Sequence, residues 1–295
     1  MLFAVTRRNA VLLMILVTFL WSIAGVVTRQ LEAARSFEVT FWRSAFNALA
    51  LLALLSWLRG PAQIVRAIRD GGRVVWFSGL CWAAMYTSFM VALTLTTVAN
   101  VLVTMALGPL ITALLARLAL GHRLPARTWG AIGVAGAGIA WMYGQQLSGD
   151  TRHVLGTLVA LAVPVSAAVN WTILQSRREA STDMLPAVLI GATLSALATL
   201  PLATPFQASA HDLGLLALLG SVQLAVPCLI AVALSRVLPA AEMSLLGLLE
   251  VVFGVTWAWL GAGESPDTAV LVGGLLVLAA LAGNEWLGMR RRVFA

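Results

Sequence analysis

Two ionisable side chains of this 295-residue chain stand inside long apolar stretches: Arg43 in Phe41-Trp42-Arg43-Ser44 and Glu250 in Leu248-Leu249-Glu250-Val251. In hydrocarbon a charge near a helix centre costs roughly 2.5–3.5 kcal/mol on insertion scales, so each needs a partner, a proton or water. Arg43 is only five or six residues into its stretch, shallow enough to extend toward headgroups as an anchor, or to tie two helices together. Turned inward, it would receive a substrate carboxylate. Glu250 lies halfway along its stretch and has no such way out, which leaves a cavity or coupling role, or a structural hydrogen bond to a neighbouring helix. Uncharged groups extend the set: Trp21 beside Ser22, Trp82 and Tyr86, Asn100, Asn170 beside Trp171, and Gln223. Trp82 and Tyr86 are i,i+4 and share a helix face. An indole or phenol offers an apolar wall and one hydrogen-bond donor, which suits a small amphipathic solute. For each aromatic, packing inside the protein is the competing account. Pro109, Pro164 and Pro227 interrupt apolar stretches and free backbone carbonyls, which makes them candidate hinges.

This is chemistry of binding rather than of bond-making. The two cysteines, Cys81 and Cys228, sit in apolar stretches outside any CxxC spacing, and His122, His153 and His211 are scattered. No metal site or other cofactor is expected from them. One deep carboxylate and no deep histidine argue against an intramembrane enzyme, and a channel is a further alternative. All nineteen basic residues are arginine, so a GxxxxGK[ST] nucleotide loop is impossible. The formal charge of +7 resides in short loops that flank apolar helices. Membrane lipids are therefore the expected partners, and nucleic acid is not.

The elements that must position these residues follow from hydropathy. Sixty per cent of the chain is hydrophobic and 11% charged, against about 25% charged in soluble domains. Val74 to Ala116 runs for 43 residues without one Arg, Lys, Asp, Glu or His, room for two spans of about 20 residues each. Ten spans are predicted, at roughly 9–29, 38–58, 74–93, 98–118, 127–145, 153–174, 184–204, 212–235, 241–260 and 268–288. Fifteen arginines fall before the first span and in alternate gaps after it, with Arg29, Arg35 and Arg152 on the other side. By the positive-inside rule both termini are cytoplasmic.

A weak internal echo divides the chain. Leu107 and Leu249, Gly121 and Gly263, and His122 and Glu264 share one offset of 142 residues. Two five-helix units are expected, residues 1–148 and 149–295. Because five is odd, the second unit enters the membrane from the opposite face, an inverted repeat suited to alternating access. The glycine-rich run 130–138 reads as a close-packing scaffold.

Four motifs give the chain a family resemblance. They are Phe19-Leu20-Trp21-Ser22-Ile23-Ala24-Gly25, Val39-Thr40-Phe41-Trp42-Arg43, Gly108-Pro109 with Leu120-Gly121-His122-Arg123-Leu124, and Leu249-Glu250-Val251 with Gly263-Glu264-Ser265. In order and spacing they resemble the EamA-like ten-helix members of the drug/metabolite transporter superfamily. His122 stands where the family has glutamate, and Val251 where it has proline; any family role for that first acid is in doubt here. The resemblance implies an all-α transmembrane fold of ten helices and secondary transport across a bacterial inner membrane. It also implies export of small metabolites, with amino-acid exporters the most similar branch. Export of aromatic and other neutral amino acids is thus the expectation, with another small metabolite or drug as the alternative. The expected site comprises Trp21, Arg43, Trp82, Tyr86, Asn100, Asn170, Trp171 and Gln223, with Glu250 as a coupling or structural group.

Overall fold

The computed structural model describes residues 6–120, 151–177 and 182–293, together with positions 126, 129–131, 133–134, 136–138 and 141. His122 and much of the fifth expected span, 127–145, lie outside the described residues. What is described is all-α. Helices α1 (Arg7–Ser22) and α2 (Ala24–Thr28) make the first span, α3 (Ser36–Arg59) the second, and α4 (Pro61–Leu95) the third. The fourth is broken into α5 (Val98–Met105) and α6 (Gly108–Leu120). In the second half, α7 (Thr151–Ser176) and α8 (Pro186–Ala203) are the sixth and seventh spans. The eighth joins α9 (Ala210–Leu218), a π-helical segment (Leu219–Ala225) and α10 (Val226–Leu234). α11 (Ala240–Ala262) and α12 (Thr268–Val293) follow. Eight of these segments are long and apolar enough to cross a bilayer, and α12 contains a shorter apolar stretch, Leu271–Ala280.

The surface is apolar where lipid would lie: Trp57, Leu118, Leu260 and Leu275 are exposed, while Thr18, Asn47, Asn100 and Asn170 are buried. That inversion is what a hydrocarbon solvent requires, because polar atoms must find partners inside the protein. Local chemistry sets the helix ends. Thr97 caps α5 by accepting from the Asn100 amide at 3.2 Å, and Ser209 with Asp212 forms a capping box on α9. Gly263 ends α11 in the left-handed region, at φ 63°. α4 begins earlier than its hydropathy suggests. Its 35 residues would run about 50 Å, far beyond a hydrocarbon thickness of about 30 Å. Gly72, at φ 56°, breaks it and separates the segment carrying Arg66 and Arg69 from the apolar remainder.

The halves interlock. The third span packs against the sixth and seventh, and the eighth against the first and second. Likewise the fourth packs against the sixth, and the ninth against the first. Each of these relations becomes its partner when every span number is shifted by five.

Two faces close differently. On the arginine-poor face three carboxylates cross between the halves. Asp212 accepts the amides of Glu32, Ala33 and Ala34 at 2.8–3.0 Å, and Glu38 accepts those of Gln207 and Ala208 at 2.8 Å. Glu264 accepts the Val98 amide at 3.0 Å and pairs with Arg29 at 3.4 Å. Arg29 also donates to the carbonyls of Leu93 and Thr96, both at 2.9 Å. The opposite face has an Arg59–Asp183 pair and an exposed Arg7–Glu242 pair at 3.2 Å. A cavity of about 790 Å³ opens there, with Leu13, Leu54, Leu174 and Ile230 among its walls and Arg59, Arg177 and Arg236 around it.

Candidate functional site

A second cavity, of about 130 Å³, lies at the centre of the bundle. It brings together six of the eight expected binding residues, Trp21, Arg43, Trp82, Tyr86, Trp171 and Gln223, with Glu250, Pro109 and Pro164. Asn100 and Asn170 do not line it. Asn100 is buried near the arginine-poor end, where its side-chain amide donates to Thr96 Oγ1 at 3.0 Å. Asn170 lies on another face of α7 and accepts from the Ser78 hydroxyl at 2.6 Å, which ties the sixth span to the third.

Each wall residue is placed by its helix. Trp82 and Tyr86 are one turn apart on α4, with ring centroids 5.6 Å apart. Trp171 meets Trp82 edge-on at 5.9 Å across the interface of α7 and α4. The Nε1 atoms of Trp21 and Trp82 and the Tyr86 hydroxyl are buried without a hydrogen-bond partner. The Cys228 thiol, a weak acceptor, lies near both Tyr86 and Trp21. Donors left open in an interior are costly unless something fills the site, by about 1–3 kcal/mol each.

Arg43 does not extend to a headgroup. It is 2% exposed, turned inward over the Phe89 ring at 5.6 Å from the centroid. Its Nη2 donates to Gln223 Oε1 at 2.9 Å. An inward acceptor and an aromatic face together replace what headgroups would offer, which is why the shallow position does not lead outward. The remaining nitrogens, Nε and Nη1, have no partner. Glu250 lies ten residues into α11, about 15 Å from that helix's start. Among the described residues it makes no hydrogen bond or ion pair, and it borders the same cavity. An arginine and a carboxyl group therefore border one space, with no ion pair between them among the described residues.

The three prolines act differently. Pro109 is the second residue of α6, just after the break at Ala106–Leu107, whereas Pro164 lies within the unbroken α7. Pro227 follows the π-helical segment and does not line the cavity. Lacking an N–H, it cannot serve the Gln223 carbonyl four residues back, and the chain there is wound in the wider register: the Val226 amide donates to Ser221 O, five residues earlier.

Sequence reasoning missed part of the wall. Met14, Met85, Met105 and Met243 line the cavity, as do Phe89, Cys228 and Ser244. Methionine in an apolar stretch carries no signal of its own, yet four of nine gather here. Asn47, one turn after Arg43 on α3, is buried with both amide atoms unpartnered. Its i,i+4 spacing from Arg43 was the available clue.

Residues 8–144 match the EamA-like transporter family. Two curated relatives, each a pseudopaline exporter of Pseudomonas aeruginosa (strains UCBPP-PA14 and PAO1), are 26% identical over 92% of this chain and 94% of their own length. A solved structure described as "Crystal structure of protein" aligns with TM-score 0.64 and 20% identity, covering 96% of this chain and 99% of that one. The matched family and the two curated relatives are transporters, not enzymes. The chain is a multi-pass helical protein of the bacterial inner-membrane type, and its residues 8–144 are similar to the EamA-like transporter family.

Proposed function

We propose that this protein exports a small zwitterionic metabolite from the cytoplasm by alternating access. The observation that carries this reading is the central cavity, where Arg43, with Nε and Nη1 unpartnered, and Glu250 stand among aromatic and methionine walls. A guanidinium matches a carboxylate, and a carboxylate with indole faces around it matches an ammonium group. Methionines repack around varied apolar bodies, so the walls favour breadth of side chain over one shape. Trp21, Trp82, Tyr86, Trp171 and Gln223 contribute donors and surfaces to the same site, while Asn100 and Asn170 hold helices together beside it.

Neutral amino acids satisfy this description. The similarity to pseudopaline exporters favours a different metabolite as the physiological cargo. The test is counterflow in proteoliposomes with labelled phenylalanine and pseudopaline, each compared with analogues lacking the ammonium or the carboxylate. At least one zwitterion is expected to move ten times faster than either analogue. Equal rates for uncharged apolar solutes would remove the basis of the proposal.

Alternating access rests on the two-unit reading, residues 1–148 and 149–295, with both termini cytoplasmic. The five-span shift that interconverts the packing relations supports it. So does the asymmetry of the faces, with the arginine-poor side laced by carboxylates and the arginine-rich side opening into the larger cavity. In that reading the protein is seen facing the cytoplasm.

A further inference from the structure

The Gln223 amide stands between three spans. Its Oε1 accepts from Arg43 Nη2 at 2.9 Å on the second span. Its Nε2 donates to the Trp21 carbonyl, also at 2.9 Å, on the first. Gln223 is 1% exposed and lies in the π-helical segment of the eighth. The neighbouring Gly220 permits this approach, since a Cβ there would fall 2.6 Å from Arg43 O and 2.7 Å from Asn47 N. The second and eighth spans thus touch backbone to backbone within one turn of the amide. The π winding that precedes Pro227 sets the direction in which Gln223 points.

We propose that Gln223 is a positioning residue for carboxylate recognition: by holding one nitrogen of Arg43, it keeps the remaining guanidinium donors presented to a ligand carboxylate in the central cavity. The proposal rests on Arg43 being the partner of the substrate's anionic end. A guanidinium has five N–H donors, and a single neutral acceptor uses one. The Nε and Nη1 donors stay unpartnered. The second Nη2 hydrogen makes the planar fork that a carboxylate fits side by side with one of them: with Nη1 if Gln223 takes the hydrogen beside Nε, with Nε if it takes the other. Only an amide serves both neighbours. Glutamate would pair with Arg43, occupy the ligand's place and leave the Trp21 carbonyl without its donor. Methionine has the length and neither hydrogen bond, so it would free the guanidinium to swing toward Phe89 or Glu250.

The experiment uses the full chain in liposomes and does not depend on knowing the cargo. Phenylglyoxal, a small arginine reagent, is applied, and the adduct at Arg43 is counted by peptide mass spectrometry. Phenylalanine, phenylacetate and phenylalaninamide serve as protecting probes. In the wild type the two carboxylates are expected to protect Arg43 at concentrations at least tenfold below the amide. Gln223→Glu abolishes that preference, and Gln223→Met, which introduces no competing charge, lowers it at least fivefold while Arg43 remains reactive. Where Gln223→Glu does not fold, Gln223→Met and the shorter Gln223→Asn carry the test. A merely structural role would change stability but not the ratio of carboxylate to amide protection. Wild-type preference retained in all the folded variants would overturn the role of Gln223 alone. No adduct at Arg43, or no carboxylate preference in the wild type, would overturn the zwitterion reading with it.

Discussion

Arg43 and Glu250 both stand in the low-dielectric interior, and what each touches determines which transport measurement it should change. Arg43 is anchored by Gln223 and Phe89, whereas Glu250 has only the cavity. A hydrogen bond to a charged group contributes about 1.5–3 kcal/mol, roughly ten- to a hundredfold in affinity. Arg43→Met is therefore expected to raise the half-saturating concentration of a transported zwitterion at least about tenfold, with a smaller effect on its decarboxylated amine. Glu250→Gln should show the mirror image, penalising the ammonium-bearing substrate and sparing the deaminated acid. Competition counterflow with the paired analogues measures both. If each variant lowers every solute equally, the two charges are structural and do not read the ligand. A Glu250→Gln protein that keeps its full response to a pH gradient removes Glu250 as a proton carrier.

Among the elements, the third and seventh spans approach most closely at Gly191. A Cβ there would lie 2.3 Å from the Trp82 Cβ and 2.9 Å from Gly79 O. Small residues permit such contacts in membranes, where dispersion replaces the hydrophobic effect between helices. Gly191→Ala should cost about 1–3 kcal/mol by overpacking and displace Trp82 from the cavity wall. Gly214, in α9, has open space around its would-be Cβ. Gly214→Ala should be neutral or gain up to about 1 kcal/mol from helix propensity. Thermal unfolding of the two variants in one detergent checks the contrast, and an equal loss in both would refute the close-packing account. The spans themselves were legible from apolar length alone: α7, expected at 153–174, occupies Thr151–Ser176, and α11, expected at 241–260, occupies Ala240–Ala262. The break at Gly72 and the π winding before Pro227 were not. A glycine or proline announces that a helix can change, but neighbouring contacts decide whether it does. Pro164 remains inside a continuous helix, which shows the same rule from the other side.

For the whole molecule, the proposed alternating access makes the lacing of the arginine-poor face the barrier that a change of access must undo. Arg29 alone joins the Leu93 and Thr96 carbonyls to Glu264. Replacing it by Met should shift the population toward opening on that side, as removing contacts made in only one state does. Cys228, buried against the central cavity, supplies a native reporter. In a Cys81→Ala background, Arg29→Met is expected to speed labelling of Cys228 by an impermeant maleimide from outside several-fold; an unchanged rate would show that Arg29 is not part of the closure. Reporter fusions should place both termini in the cytoplasm, and opposite locations would defeat the two-unit arrangement.

Apolar length and arginine distribution alone determined where the chain enters hydrocarbon and which loops are expected on the cytoplasmic side, because the bilayer penalises each residue by type. The binding candidates were legible to the same extent: a polar or aromatic group within a span must be satisfied by protein, water or ligand, so Trp82, Tyr86, Gln223 and Asn170 all stood out. Which of them share a cavity depends on the azimuth of each helix. Spans that are apolar on every side do not encode azimuth, since lipid and protein neighbours are equally apolar. Only tertiary packing turned Arg43 inward to Gln223, set Asn170 against Ser78 and gathered four methionines around the cavity. The first two placements arise from contacts between residues 90 or more positions apart, which no local pattern records.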